Sequence, residues 1–121
     1  MSDYPKPIKR LLRQYLTLAY ERELHRELAK LDQSFAEWRE GKINNGELSH
    51  RVHQYEMGPS RDLFKRYNGD LPDMMVAYAL VAGILKQEEV PAELLEAIAR
   101  TLSFYQSLKE RNELKEPDIE G

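Results

Sequence analysis

Cysteine is absent from the 121 residues, which excludes disulfides, thiolate zinc sites and cysteine nucleophiles together. Glycine and proline number six each, and from Pro7 to Glu40 there is no helix breaker at all. No alternating apolar–polar stretch is long enough to propose a strand, and there is no internal repeat or low-complexity tract. Long hydrophobic runs are missing too: the longest uncharged stretch, Met74–Leu85, falls short of the roughly 20 residues that span a membrane. MSDYPKPIKR at the start lacks the apolar centre of a secretion signal, so a cytoplasmic protein is expected.

Catalytic signatures are also absent. There is no Gly-x-Ser-x-Gly elbow and no glycine-rich loop followed by lysine, and Glu-x-x-His occurs once, at Glu47–His50. The paired carboxylates Glu88 and Glu89 fall in a polar connection, where solvent leaves them near their ordinary pKa. No enzyme activity and no cofactor are expected.

What is present is charge and helical periodicity. Charged residues make up 32% of the chain and hydrophobic ones 41%, enough for one solvated domain with a single core. The formal charge of −3 is uneven: residues 1–68 carry 13 Lys/Arg against 10 Asp/Glu, residues 69–121 carry 5 against 11. Such asymmetry can steer one end to an anionic partner or one protomer's head to another's tail, although a charged, solvated surface is the simpler account.

The centre of the chain is Leu71–Lys86, LPDMMVAYALVAGILK, apolar on almost every side. A helix of that kind is enclosed by others. An all-α fold follows, with about five helices packed around this central one. Asp70 is its expected N-cap, and Ala79 and Gly83, four apart, predict a shallow strip for a close helix neighbour. Before it, Met1–Pro7 reads as a loose arm, and residues 8–111 as a single helical domain. One long helix is expected from Pro7 to Glu40, closed by Gly41. A second runs over Gly46–Met57, capped by Asn44 or Asn45 and stopped by Gly58–Pro59. A short third follows over Ser60–Asn68, with Leu63, Phe64 and Tyr67 inward. A fifth runs from Pro91 to Arg111 on the stripe Leu94, Ile98, Leu102, Tyr105, Leu108. Residues 112–121, acidic and with Pro117, read as a disordered tail.

Within the long helix, Ile8, Leu12, Tyr15 and Ala19 form one stripe. Leu24, Leu28, Leu31, Phe35 and Trp38 form another, spaced 4, 3, 4, 3 and out of phase with the first. At 1.5 Å per residue such a helix is about 50 Å long, whereas a compact domain of this size is about 35 Å across. Either the helix breaks or part of it needs outside cover. A homodimer is therefore expected, with Leu24, Leu28, Leu31, Phe35 and Trp38 as its interface, or else Leu11, Tyr15 and Leu18. The function expected is protein–protein interaction, with itself or with an unknown partner.

Three alternatives arise from single clusters. Glu47, His50 and His53 share a helix face with metal-ligand chemistry, although chance spacing and a structural hydrogen bond explain them as well. Ser60 and Arg61 at a helix start, with Lys65 and Arg66 one turn on, make an anion seat; capping by Ser60 is the simpler account. Lys6, Lys9, Arg10 and Arg13, interleaved with Tyr4 and Tyr15, have the ingredients of a nucleic-acid patch. A pI near 5.7 runs against that footprint, and nucleic acid is not expected as a partner.

Overall fold

The structure is a computed structural model and describes residues 4–115. Among these residues every regular element is helical: α1 (Lys6–Arg39), α2 (Asn45–Tyr55), α3 (Arg61–Tyr67), α4 (Pro72–Val81), α5 (Ala92–Ala97) and α6 (Ala99–Glu110). Among the described residues no helix is long and apolar enough to cross a membrane.

The long N-terminal helix is continuous over 34 residues. It ends at Gly41, whose φ of +76° lets the Gly41 N–H reach the Trp38 carbonyl and the Lys42 N–H the Glu37 carbonyl, at 3.0 and 2.8 Å. This Schellman closure satisfies carbonyls that the last turn leaves open. Asn44 then caps α2, its side-chain oxygen accepting the Glu47 N–H at 2.7 Å.

Gly58–Pro59 does not stop the second helix. Glu56–Ser60 form a π-helical turn that joins α2 to α3 in one uninterrupted arm. A proline ring clashes with the carbonyl four residues back in an α-helix; the extra residue of a π turn relieves that conflict. The arm lies antiparallel along α1. Trp38 Nε1 donates to Asn45 Oδ1 at 2.7 Å at the corner, and Arg51 reaches Ser34 and Glu37 further back. At the far end the Tyr67 phenol donates to Glu23, and the Tyr20 and Tyr67 rings sit 5.5 Å apart. Of the three residues expected inward on α3, Leu63 and Tyr67 are buried but Phe64 is exposed.

α4 is the enclosed helix, with every residue from Met75 to Val81 buried. It packs between the N-terminal half of α1 and α6. Its limits are narrower than the apolar run. Leu71 rather than Asp70 is the N-cap, and Gly83 lies past the end, at φ +86°. There it closes a second Schellman turn, with Ile84 N–H on the Ala79 carbonyl at 2.8 Å. The expected Ala79/Gly83 strip therefore does not form: Ala79 is buried and Gly83 is solvent-exposed in the turn. Ile84 and Leu85 stay buried as irregular chain. They are held there from α1, because Arg22 donates to the Ile84 carbonyl and to both oxygens of Glu89, at 2.7–2.9 Å. Tyr15 donates to the Glu89 carbonyl at 2.9 Å. The fifth expected helix bends at buried Ile98 into α5 and α6.

The ends of the domain also differ from expectation. Helix begins at Lys6 rather than after Pro7, and Tyr4 is pinned, its hydroxyl donating to Asp73 at 3.0 Å; residues 1–3 of the expected arm lie outside the described residues. Of the expected tail, Asn112 closes α6 at φ 58° and Leu114 packs against the core. Residues 116–121 lie outside the described residues.

Candidate interaction surface

The helix breaker that fails at Gly58–Pro59 changes the argument for outside cover. The long helix does not project bare; its own chain folds back over it. What the arm covers is one flank. Arg51 bonds Glu47 on its own helix and Ser34 and Glu37 on α1, a bridge that lines that flank. Ser34 is buried beneath it.

The second stripe runs along the border of that flank. Leu28 is 47% exposed and Trp38 39%, whereas Leu24, Leu31 and Phe35 between and before them are half-buried. Leu24 leans on the core, and Leu31 lines the seam with Ser34, Tyr55 and Pro59. Phe35 and Trp38 meet edge to face at 6.4 Å. On α2, Val52 lies two turns from Asn45, the residue bonded to Trp38, so it shares that flank. Val52 is exposed as well. The outer edge, at helical spacing with Leu28 and Phe35, carries Glu21, His25, Asp32 and Arg39, all exposed and of both signs. The alternative stripe is not available: Leu11, Tyr15 and Leu18 pack against the core. Elsewhere, α3 and α6 each expose one large apolar side chain, Phe64 and Phe104.

The metal cluster does not assemble. His50 and His53 are exposed, and the Glu47 carboxylate is taken by Arg51 at 2.9 Å. Among the described residues no three His, Asp or Glu side chains come together as a metal site. The anion seat fails for a backbone reason. Ser60 is interior to the α2–α3 arm and makes no side-chain cap, so the free N–H groups of a helix start do not exist there. Arg61 turns to the Met57 sulfur, Lys65 is exposed, and Arg66 lines a small cleft with Glu23, Glu27 and Asp62. Carboxylates on that scale repel an anion.

The basic N-terminal residues separate in space. Tyr15 turns inward to Glu89, while Lys9 and Arg13 border a groove of about 710 Å³. Leu12, Leu16 and Tyr20 line it from α1; Tyr67, Asn68, Gly69 and Pro72 from the α3–α4 corner; Tyr4 also contributes. Sequence periodicity could not reveal this groove, because its two walls are some fifty residues apart in the chain. Burial pushes the Tyr67 phenol up, and its hydrogen bond to Glu23 adds to this. Tyr67 therefore stays a neutral donor to Glu23.

No protein-family model matches this chain, and neither a curated protein nor a solved structure matches it. The reading of these surfaces rests on the residues themselves.

Proposed function

We propose that this protein works by reversible self-association through the flank of α1 that the α2–α3 arm leaves open. The observation that carries this reading is the exposure of Leu28 and Trp38 in an apolar stripe whose other members, Leu24, Leu31 and Phe35, are half-buried. A second copy laid across the stripe removes that apolar surface from water, which is the dominant favourable term in association. At the edge, Glu21 and Arg39 are of opposite sign and lie at similar distances from the middle of the stripe, so an antiparallel twofold contact sets each against the other.

The size of the face bounds its strength. From Leu24 to Trp38 is about 21 Å of helix, and α1 with α2 is about 20 Å wide at ordinary helix spacing. The projected area is about 400 Å² per copy, half of the roughly 800 Å² that a standard stable interface uses. Association in the micromolar range follows, rather than an obligate dimer. Sedimentation velocity from about 5 to 500 µM, concentrations that bracket such a dissociation constant, is expected to show a rising weight-average mass. A constant monomer mass across that range rejects the proposal.

A further inference from the structure

The α2–α3 arm stops short of the start of α1. It follows α1 back from Trp38 and ends at Tyr67 against Tyr20, after which the chain turns away into α4. Between Tyr20 and Lys9, about 16 Å of helix, the line of α1 that the arm follows carries no further helix among the described residues. The 710 Å³ groove occupies that gap. Its floor is Leu12, buried, and Leu16, half-buried. With Tyr20, these fall at i, i+4 and i+8 on α1, the ladder into which a packed helix sets its own side chains. The Tyr20–Tyr67 pair closes one end, and Tyr4 is anchored at the groove by Asp73.

Charge selects the occupant. Lys9 and Arg13, one turn apart on the groove's edge, are exposed and have no carboxylate partner among the described residues. Lys6 and Arg10 are exposed on the adjoining turn. Glu21 lines the groove two turns beyond Arg13, and the Glu23 carboxylate is engaged by Tyr67. The tyrosine hydroxyls at positions 4 and 67 already donate to carboxylates.

We infer that this groove receives a short acidic amphipathic helix of a partner protein, laid along the first turns of α1 where the α2–α3 arm ends. Its apolar residues, three or four apart, seat over Leu12 and Leu16, and its carboxylates face Lys9 and Arg13. With its C-terminal end toward the start of α1, its dipole also opposes that of α1 favourably. Apart from Glu21, which borders both, this surface is separate from the Leu28–Trp38 flank and does not depend on it.

The test uses the full chain, isotope-labelled, and a blocked helical peptide of about 14 residues, with leucine at every third or fourth position and glutamate elsewhere. A control peptide carries lysine in place of glutamate. The acidic peptide is expected to shift the amides of residues 9–20 and 67–72, and the lysine peptide to leave them in place. The double variant Lys9→Glu/Arg13→Glu, at exposed positions and with an unchanged circular dichroism spectrum, is expected to weaken acidic-peptide binding about tenfold or more, several exposed charge contacts being reversed at once. Leu28→Asp is expected to leave it unchanged. Shifts located elsewhere, no shift at about 1 mM peptide, or equal binding of both peptides overturns the inference. Loss of self-association in the double variant also overturns it, by making a second copy the occupant.

Discussion

Replacing Leu28 with Asp tests the association surface at its most exposed member. Full burial of a leucine is worth about 1.5–3 kcal/mol. In the monomer 47% of Leu28 is exposed, so a dimer that covers the remainder gains about half of this per copy. Both copies together contribute about 1.5–3 kcal/mol, or about ten- to 150-fold in the dissociation constant. An aspartate there adds a desolvation penalty, so dimerisation is expected to weaken by at least the lower figure. The monomer loses the buried half of the side chain and some helix propensity, about 1–2 kcal/mol together. That is a minor part of the 5–15 kcal/mol by which domains of this kind are stable. Sedimentation velocity and far-ultraviolet circular dichroism read the two effects separately. A variant that self-associates as the parent does refutes the placement of the interface. One that unfolds shows Leu28 to be core instead.

Leu94→Ala removes a side chain that is fully buried between α1 and the end of the core; urea denaturation is expected to report a loss of about 2.5–5 kcal/mol. Asn44→Ala removes the cap on the Glu47 N–H and is expected to cost about 1 kcal/mol by the same measurement. Gly83→Ala places a Cβ in open space but at φ +86°, so a loss of about 1–2 kcal/mol is expected from the backbone alone; no change would mean that the turn relaxes. Glu89→Gln probes the tie between α1 and the chain after α4. Contrary to the expectation for a solvated connection, the Arg22 guanidinium, with the Lys86 N–H, holds the Glu89 carboxyl well below the usual carboxylate range, at about 2 against an ordinary 4.5. Its contribution is therefore complete above about pH 4.5 and lost as pH falls toward 2. The difference in urea midpoint between parent and variant should stay level from neutral pH to about 5 and then shrink; a level difference down to pH 2 refutes the assignment.

Several local features were legible because they depend on neighbours in sequence. The absence of breakers between Pro7 and Glu40, with Gly41 after them, marks a helix that the chain forms almost to the residue. A cap at Asn44 or Asn45 was legible, and the structure selects Asn44, whose side chain accepts the Glu47 N–H. The stripe Leu94, Ile98, Leu102, Tyr105 is buried, with Leu108 half-buried at its end, and apolar residues on every side of α4 foretold its enclosure. Proline at 59 and glycine at 83 misled for opposite reasons. A π turn accommodated the first, whereas the second ended a helix that hydrophobicity alone carried on to Lys86.

Composition and periodicity by themselves determined the helical class, the identity of the enclosed segment and the existence of two misaligned stripes on α1, because these follow from short-range backbone preferences and from the spacing of apolar side chains. Only the tertiary structure decided which flank of α1 stays open, that the supposed metal and anion clusters do not assemble, and that Lys9 and Arg13 border a groove walled by Tyr67 and Pro72. Those outcomes depend on where the α2–α3 arm ends when it folds back, and that end is held by contacts between residues as far apart as Glu23 and Tyr67, which no local pattern encodes.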